Sequence, residues 1–99
     1  MQQVKTVGIQ DLPSEFKEKV HKRIEHYIGM FELKLDSYDE LSVVCKVIHK
    51  KDKDAKPIYE LNVNLICGSK VYHGHAEEYS PIDAVNSALE TVAQTVITK

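Results

Sequence analysis

Ninety-nine residues, 42% of them hydrophobic and 28% charged, are enough for one buried core and too few for two, so the chain is expected to be a single domain spanning 1–99. No apolar run approaches the roughly 18 residues a bilayer crossing requires, and Met1 is followed by Gln2, Gln3, Val4 and Lys5 rather than the apolar stretch of a signal peptide, so a cytoplasmic protein without a membrane partner is expected. The formal net charge of −2 excludes a uniformly basic nucleic-acid binder, and any phosphate-binding surface must come from local clustering of Lys and Arg.

Val4 to Ile9 alternates weakly, with Lys5, Val7 and Ile9 on one side and Val4, Thr6 and Gly8 on the other, which predicts a short first strand. Asp11, Leu12, Pro13, Ser14 and Glu15 then supply a capping residue, a proline suited to a first helical turn and an early carboxylate favoured by the helix dipole. In the helix that follows, Leu12, Phe16, Val20, Ile24, Tyr27, Ile28 and Phe31 recur at spacings of three and four, giving one apolar stripe. Gly29 is expected to loosen the end of this helix, and Glu32 to Glu40 reads as polar and irregular.

Leu41, Val43, Cys45 and Val47 alternate with Ser42, Val44, Lys46 and Ile48 as a second strand, and His49 to Pro57 forms a charged loop. Tyr59, Leu61, Val63 and Leu65 alternate with Glu60, Asn62 and Asn64 as a half-buried third strand. Gly68-Ser69 fits a two-residue hairpin turn closed by Cys67 and Lys70. Counting outward from it sets Leu65 opposite Tyr72, Val63 opposite Gly74 and Leu61 opposite Ala76 on the apolar face, with Asn64 against His73 and Asn62 against His75 on the polar one. A slip of one residue would turn the whole apolar set toward water, so this self-consistent pairing specifies the register. Ser80, Pro81 and Asp83 begin the last helix as cap, first-turn proline and capping-box carboxylate, and Val85, Ala88, Leu89, Val92 and Val96 form its inner stripe.

The resulting class is α+β, ordered β-α-β-β-β-α, a four-stranded sheet with two helices packed on one face. The opposite face is left polar by Glu60, Asn62, Asn64, His73, His75 and Glu77. The hairpin register puts Cys45 opposite about residue 61, some six residues along the strand from Cys67 or roughly 20 Å away, whereas a disulfide needs Cα atoms within about 7 Å. Both cysteines are therefore read as buried thiols, consistent with a reducing compartment.

Helix 1 places Lys19, Lys22, Arg23 and His26 at i, i+3, i+4 and i+7, one outward stripe beside the apolar one and the leading candidate for binding phosphate. The competing reading is an ordinary solvated face, with Glu15 pairing Lys19 and Glu18 pairing Lys22. The loop carries Lys50, Lys51, Lys53 and Lys56 against Asp52 and Asp54, a local excess of two positive charges that can reach a phosphate backbone or merely aid solubility. His73 and His75 share a face, but the Asn62 and Asn64 opposite them are poor zinc ligands and no third His or Cys joins them, so no metal and no cofactor is expected. Asp36, Asp39 and Glu40 cluster in what reads as an exposed loop, and there is no Gly-rich phosphate loop and no nucleophile with a base in register. No catalytic residue and no small-molecule substrate are therefore expected, and Tyr59 and Tyr72 read as core rather than as stacking platforms.

The element order, the aromatic HYIGMF that closes helix 1 and the run VYHGHAEEYSPIDAVNSALETVAQTV together resemble the ribosome hibernation promoting factor and ribosome-associated inhibitor (protein Y) family over nearly the whole chain. The resemblance implies a short-form member that sits in the mRNA and tRNA channel of the small ribosomal subunit, contacts its rRNA and silences translation under stress, with no enzyme activity. Arg23 and His26 look like basic positions of that family's first helix. The family's last helix usually carries Lys and Arg on its outer face, whereas the corresponding positions here look like Thr91 and Gln94, alongside Asp83 and Glu90 with only Lys99 at the end. That departure keeps open a diverged protein interaction module of the same fold without ribosome binding.

Overall fold

The computed structural model describes residues 3–35, 38–48 and 56–97. The elements run β1 (Gln3–Val7), α1 (Ser14–Leu35), β2 (Glu40–Ile48), β3 (Ile58–Cys67), β4 (Lys70–Glu78) and α2 (Pro81–Ile97). The sheet order is β1-β2-β3-β4, with β1 parallel to β2 and the other neighbours antiparallel. Among the described residues no helix is long and apolar enough to cross a membrane.

Turn chemistry sets the register, as the sequence predicts. Gly68 takes a left-handed φ of 63°, which glycine alone adopts without a Cβ penalty. Cys67 then pairs with Lys70, Leu65 with Tyr72, Val63 with Gly74, Leu61 with Ala76, Asn64 with His73 and Asn62 with His75. A second tie holds the turn, because the Gly68 N–H donates to Asp39 Oδ2 at 2.8 Å. Asp39 is thus a structural acceptor, while Glu40 lies in β2 with Lys5 Nζ 3.5 Å from its carboxylate. The third acid of that sequence cluster, Asp36, lies outside the described residues.

Leu41, Val43 and Cys45 of β2, Leu61, Val63 and Leu65 of β3, and Tyr72 and Ala76 of β4 are buried on one face, beneath Val20, Ile24, Tyr27 and Phe31 of α1 and Val85, Ala88, Leu89, Val92 and Val96 of α2. Both helices therefore cover the same side of the sheet. α2 lies tightly on β4: a Cβ at Gly74 would run into the Ala88 carbonyl and come within 2.9 Å of Val92 Cγ2. Cys45 pairs with Leu61 and neither cysteine is in a disulfide; Cys45 is buried, and burial pushes its thiol pKa up, whereas Cys67 is only partly buried.

Three boundaries differ from expectation. β1 ends at Val7, because Gly8 turns with a φ of 81° against the Cys45 carbonyl, where any Cβ would collide. Ile9 thereby leaves the strand and swings fully into the core. The second correction concerns the end of α1, which runs past Gly29 to Leu35 and so takes in the start of the stretch read as irregular, with Phe31 completely buried. Glycine costs only about 1 kcal/mol inside a helix, less than burying a phenylalanine returns. Finally, the stretch read as polar and irregular places Tyr38 in the core, where burial, then the charge of Glu32, raises its phenol pKa.

Candidate nucleic-acid interface on helix α1

Helical periodicity alone puts Lys19, Lys22, Arg23 and His26 on one side of α1, but only packing decides what faces them. In the folded chain they line a single surface depression of about 360 Å³ with Ile82, from the first turn of α2. The four cationic or imidazole side chains singled out in the sequence are thus gathered at the α1–α2 junction, and all four are exposed.

The acids beside this stripe do little to neutralise it. Lys22 Nζ lies 3.7 Å from Glu18 Oε1, the pairing expected from the sequence, but the two side chains are 74% and 77% exposed. Such a pair contributes little and exchanges readily for another anion. The expected Glu15–Lys19 pair does not form, and among the described residues neither Lys19 nor Arg23 has an ion-pair partner.

Glu90 is held elsewhere. The Tyr27 hydroxyl donates to Glu90 Oε2 at 2.7 Å, with Asn86 Oδ1 at 3.4 Å as a weaker acceptor, and Gln94 Nε2 donates to Glu90 Oε1 at 3.4 Å. The carboxylate that looked like part of an acidic outer face therefore latches α2 to α1. Burial, then this hydrogen bond, then the Glu90 charge push the Tyr27 pKa from 10.0 to about 12, against the opposing charge of Arg23. Because the folded-state value is the higher one, the stabilisation from the neutral phenol is complete below pH 10 and is lost as pH rises from 10 through about 12. Tyr27→Phe should cost about 1–2 kcal/mol at neutral pH by removing a hydrogen bond to a charged acceptor. Denaturant melts at increasing pH should show the gap between wild type and variant narrowing above pH 10, and a constant gap would remove Tyr27 ionisation from the stability of the seam.

The outer face of α2 carries exposed Thr91 and Gln94, as the sequence indicates, and the Thr91 and Thr95 hydroxyls donate back to the carbonyls of Ser87 and Thr91 at 3.0 Å. The described part of this face presents no cation, so of the two helices only α1 carries a basic stripe among the described residues. Of the loop lysines, Lys56 is exposed just before β3, while Lys50, Lys51 and Lys53 lie outside the described residues. Tyr59 pairs with Glu78, which puts Lys56 at the same end of the sheet as the start of α2 and hence as Ile82. Tyr72 is buried in the core, as expected, and Tyr59 packs at its margin.

On the opposite face of the sheet the predicted polar ladder forms. His73 Nδ1 lies 2.8 Å from Asn64 Oδ1, and His75 Nδ1 lies 2.8 Å from Asn62 Oδ1. The register adds two carboxylates, Glu60 and Glu77, directly across from each other.

No protein-family model matches the sequence, and no curated protein matches it. Solved structures do. The N-terminal domain of Protein Y from Thermus thermophilus superposes with a TM-score of 0.56 at 16% sequence identity, covering 95% of this chain and 91% of that one. A ribosomal subunit interface protein from Coxiella burnetii superposes with a TM-score of 0.57 at 14% identity, covering 99% of this chain and 96% of that one. The β-α-β-β-β-α fold is therefore shared with these two proteins along nearly their whole length, and the fold that the sequence resemblance implies is the fold observed.

Proposed function

We propose that the chain acts as one ribosome-associated domain of the hibernation type, a non-catalytic cytoplasmic factor that binds the small ribosomal subunit in its mRNA and tRNA channel and silences translation under stress. Lys19, Lys22, Arg23 and His26 contact rRNA phosphates, supported by Lys56 and the neighbouring Lys50, Lys51 and Lys53. The observation that carries this reading is the convergence of the α1 stripe on one depression, with a single weak ion pair among the described residues competing for it. Phosphate contacts of this kind place a protein on the nucleic-acid backbone without reading its sequence. The shared fold with a ribosomal subunit interface protein supports the choice of partner.

One observation favours a second reading, a protein interaction module of the same fold: the described outer face of α2 has no cation, and the whole chain carries a net charge of −2. Salt separates the two. Cosedimentation with small subunits should weaken steeply as salt rises, with a log–log slope of about −0.7 to −0.9 for each phosphate neutralised, so about −2 to −3 for the three α1 cations Lys19, Lys22 and Arg23. Binding that is insensitive to salt would support the interaction module instead.

A further inference from the structure

The face of the sheet turned away from both helices carries a second cluster. One ligand atom from each of Glu60, His75 and Glu77 can be chosen so that all lie within 4.8 Å of one another. The hydrogen bonds around them leave little freedom in how the imidazole is presented. A carboxylate only accepts, so the group Asn62 directs at Glu60 Oε1, 3.1 Å away, is its NH2. The Asn62 carbonyl oxygen must then face His75 Nδ1 at 2.8 Å, and because that oxygen also only accepts, the ring proton sits on Nδ1. That bond fixes the ring's orientation and directs Nε2 at Glu77 Oε1, 3.5 Å away.

We propose that Glu60, His75 and Glu77 form a surface site for a divalent transition-metal ion, zinc foremost, with Asn62 as the residue that positions the histidine. Metal-bound histidines characteristically donate their other ring N–H to an acceptor that holds the tautomer, which is the part Asn62 plays. One imidazole and two carboxylates are a donor set suited to zinc, with a coordination position left for water. Metal–ligand bonds of about 2.0–2.2 Å place neighbouring tetrahedral ligands about 3.3–3.6 Å apart, a range that includes the 3.5 Å between His75 Nε2 and Glu77 Oε1. Glu60 has only to close a gap of under 4.8 Å by rotating its side chain.

Charge points the same way. Glu60 and Glu77 are directly opposed across β3 and β4, an arrangement of like charges that disfavours strand pairing. Lys46 of β2 is registered against Glu60 on the other side, yet among the described residues it forms no ion pair with it. A bound cation would relieve the repulsion. His73 lacks this setting, since the residue across from it is Asn64 and no carboxylate joins the pair.

Calorimetric titration of the metal-stripped full chain with zinc chloride in a non-coordinating buffer tests the site, together with NMR of the imidazole rings. Saturable binding with the His75 ring resonances moving most is the expected result. His75→Ala should weaken that binding at least about 100-fold, and Asn62→Leu, which keeps all three ligands, about 10–100-fold. His73→Ala and Cys67→Ser should leave it unchanged. Glu77→Gln, which keeps the shape and removes the charge, gives an independent check should the alanine variant fold poorly. The proposal fails if no saturable binding occurs, if binding survives both His75→Ala and Glu77→Gln, or if the shifts centre on imidazoles of α1.

Discussion

The double variant Lys22→Glu/Arg23→Glu is expected to lose cosedimentation with small ribosomal subunits even at low salt, while its melting temperature stays close to that of the wild type. On the proposed function each side chain would supply one charge-assisted contact worth about 1.5–3 kcal/mol to a phosphate, so losing both should cost about 3–6 kcal/mol, or roughly 10²–10⁴ in affinity, before the added repulsion is counted. Stability should barely respond. Both residues are exposed, and the one ion pair disrupted, between Lys22 and Glu18, lies in solvent at 3.7 Å. Circular dichroism melts run beside the sedimentation assay separate a lost contact from a lost fold. If the reversed variant still sediments with subunits, α1 is not the binding surface, and the loop lysines or another face must be.

Phe31→Ala should produce the largest loss of stability, about 3–5 kcal/mol, a substantial part of the 5–15 kcal/mol that holds a small domain folded. The ring is fully buried, lies tilted against Tyr27 with centroids 6.2 Å apart, and belongs to the last turns of α1 that pack beyond Gly29. Truncation leaves a cavity beside the same tyrosine that latches α1 to α2 through Glu90. Leu33→Ala is the matched control, since Leu33 is 85% exposed and its truncation should fall within about 0.5 kcal/mol of wild type. Urea unfolding of the two variants tests whether the segment after Gly29 is a packed helix. Equal, small losses would mean that it is not.

These two experiments probe different parts of one arrangement. Phe31, Tyr27, Ile24 and Val20 bury the apolar stripe of α1 and so decide which way the helix is rotated. That rotation turns Lys19, Lys22, Arg23 and His26 outward beside Ile82. Loss of the core stripe should remove binding by unfolding the domain, whereas loss of the basic stripe should remove it from a domain that still melts cooperatively.

How much of this was legible in the sequence depended on the range of the forces involved. The β3–β4 register follows from a glycine-first turn and period-two alternation, both local, and every predicted pair from Cys67–Lys70 to Leu61–Ala76 is present. The continuation of α1 to Leu35 is less legible, because the cost of Gly29 is local while the burial that outweighs it comes from strands and a helix distant in the chain. Tyr38 went unrecognised as a core residue for the same reason, lying alone among polar neighbours with no periodic partner. In the polar ladder, the sequence showed Glu60 and Glu77 on the same face as His75. The register sets the two carboxylates opposite each other, beside the imidazole.

The amino-acid sequence by itself determined the element order, the turns, the apolar faces and the basic stripe of α1, because each is encoded within a few neighbouring residues by backbone preference and side-chain periodicity. Only the tertiary structure decided that the stripe meets the first turn of α2 in a shared depression, that Glu90 serves as the acceptor for Tyr27, and that Glu60, His75 and Glu77 converge. Those juxtapositions join residues far apart in the chain. They are selected by how α1, α2 and the sheet bury their apolar surfaces together, a property no local stretch contains.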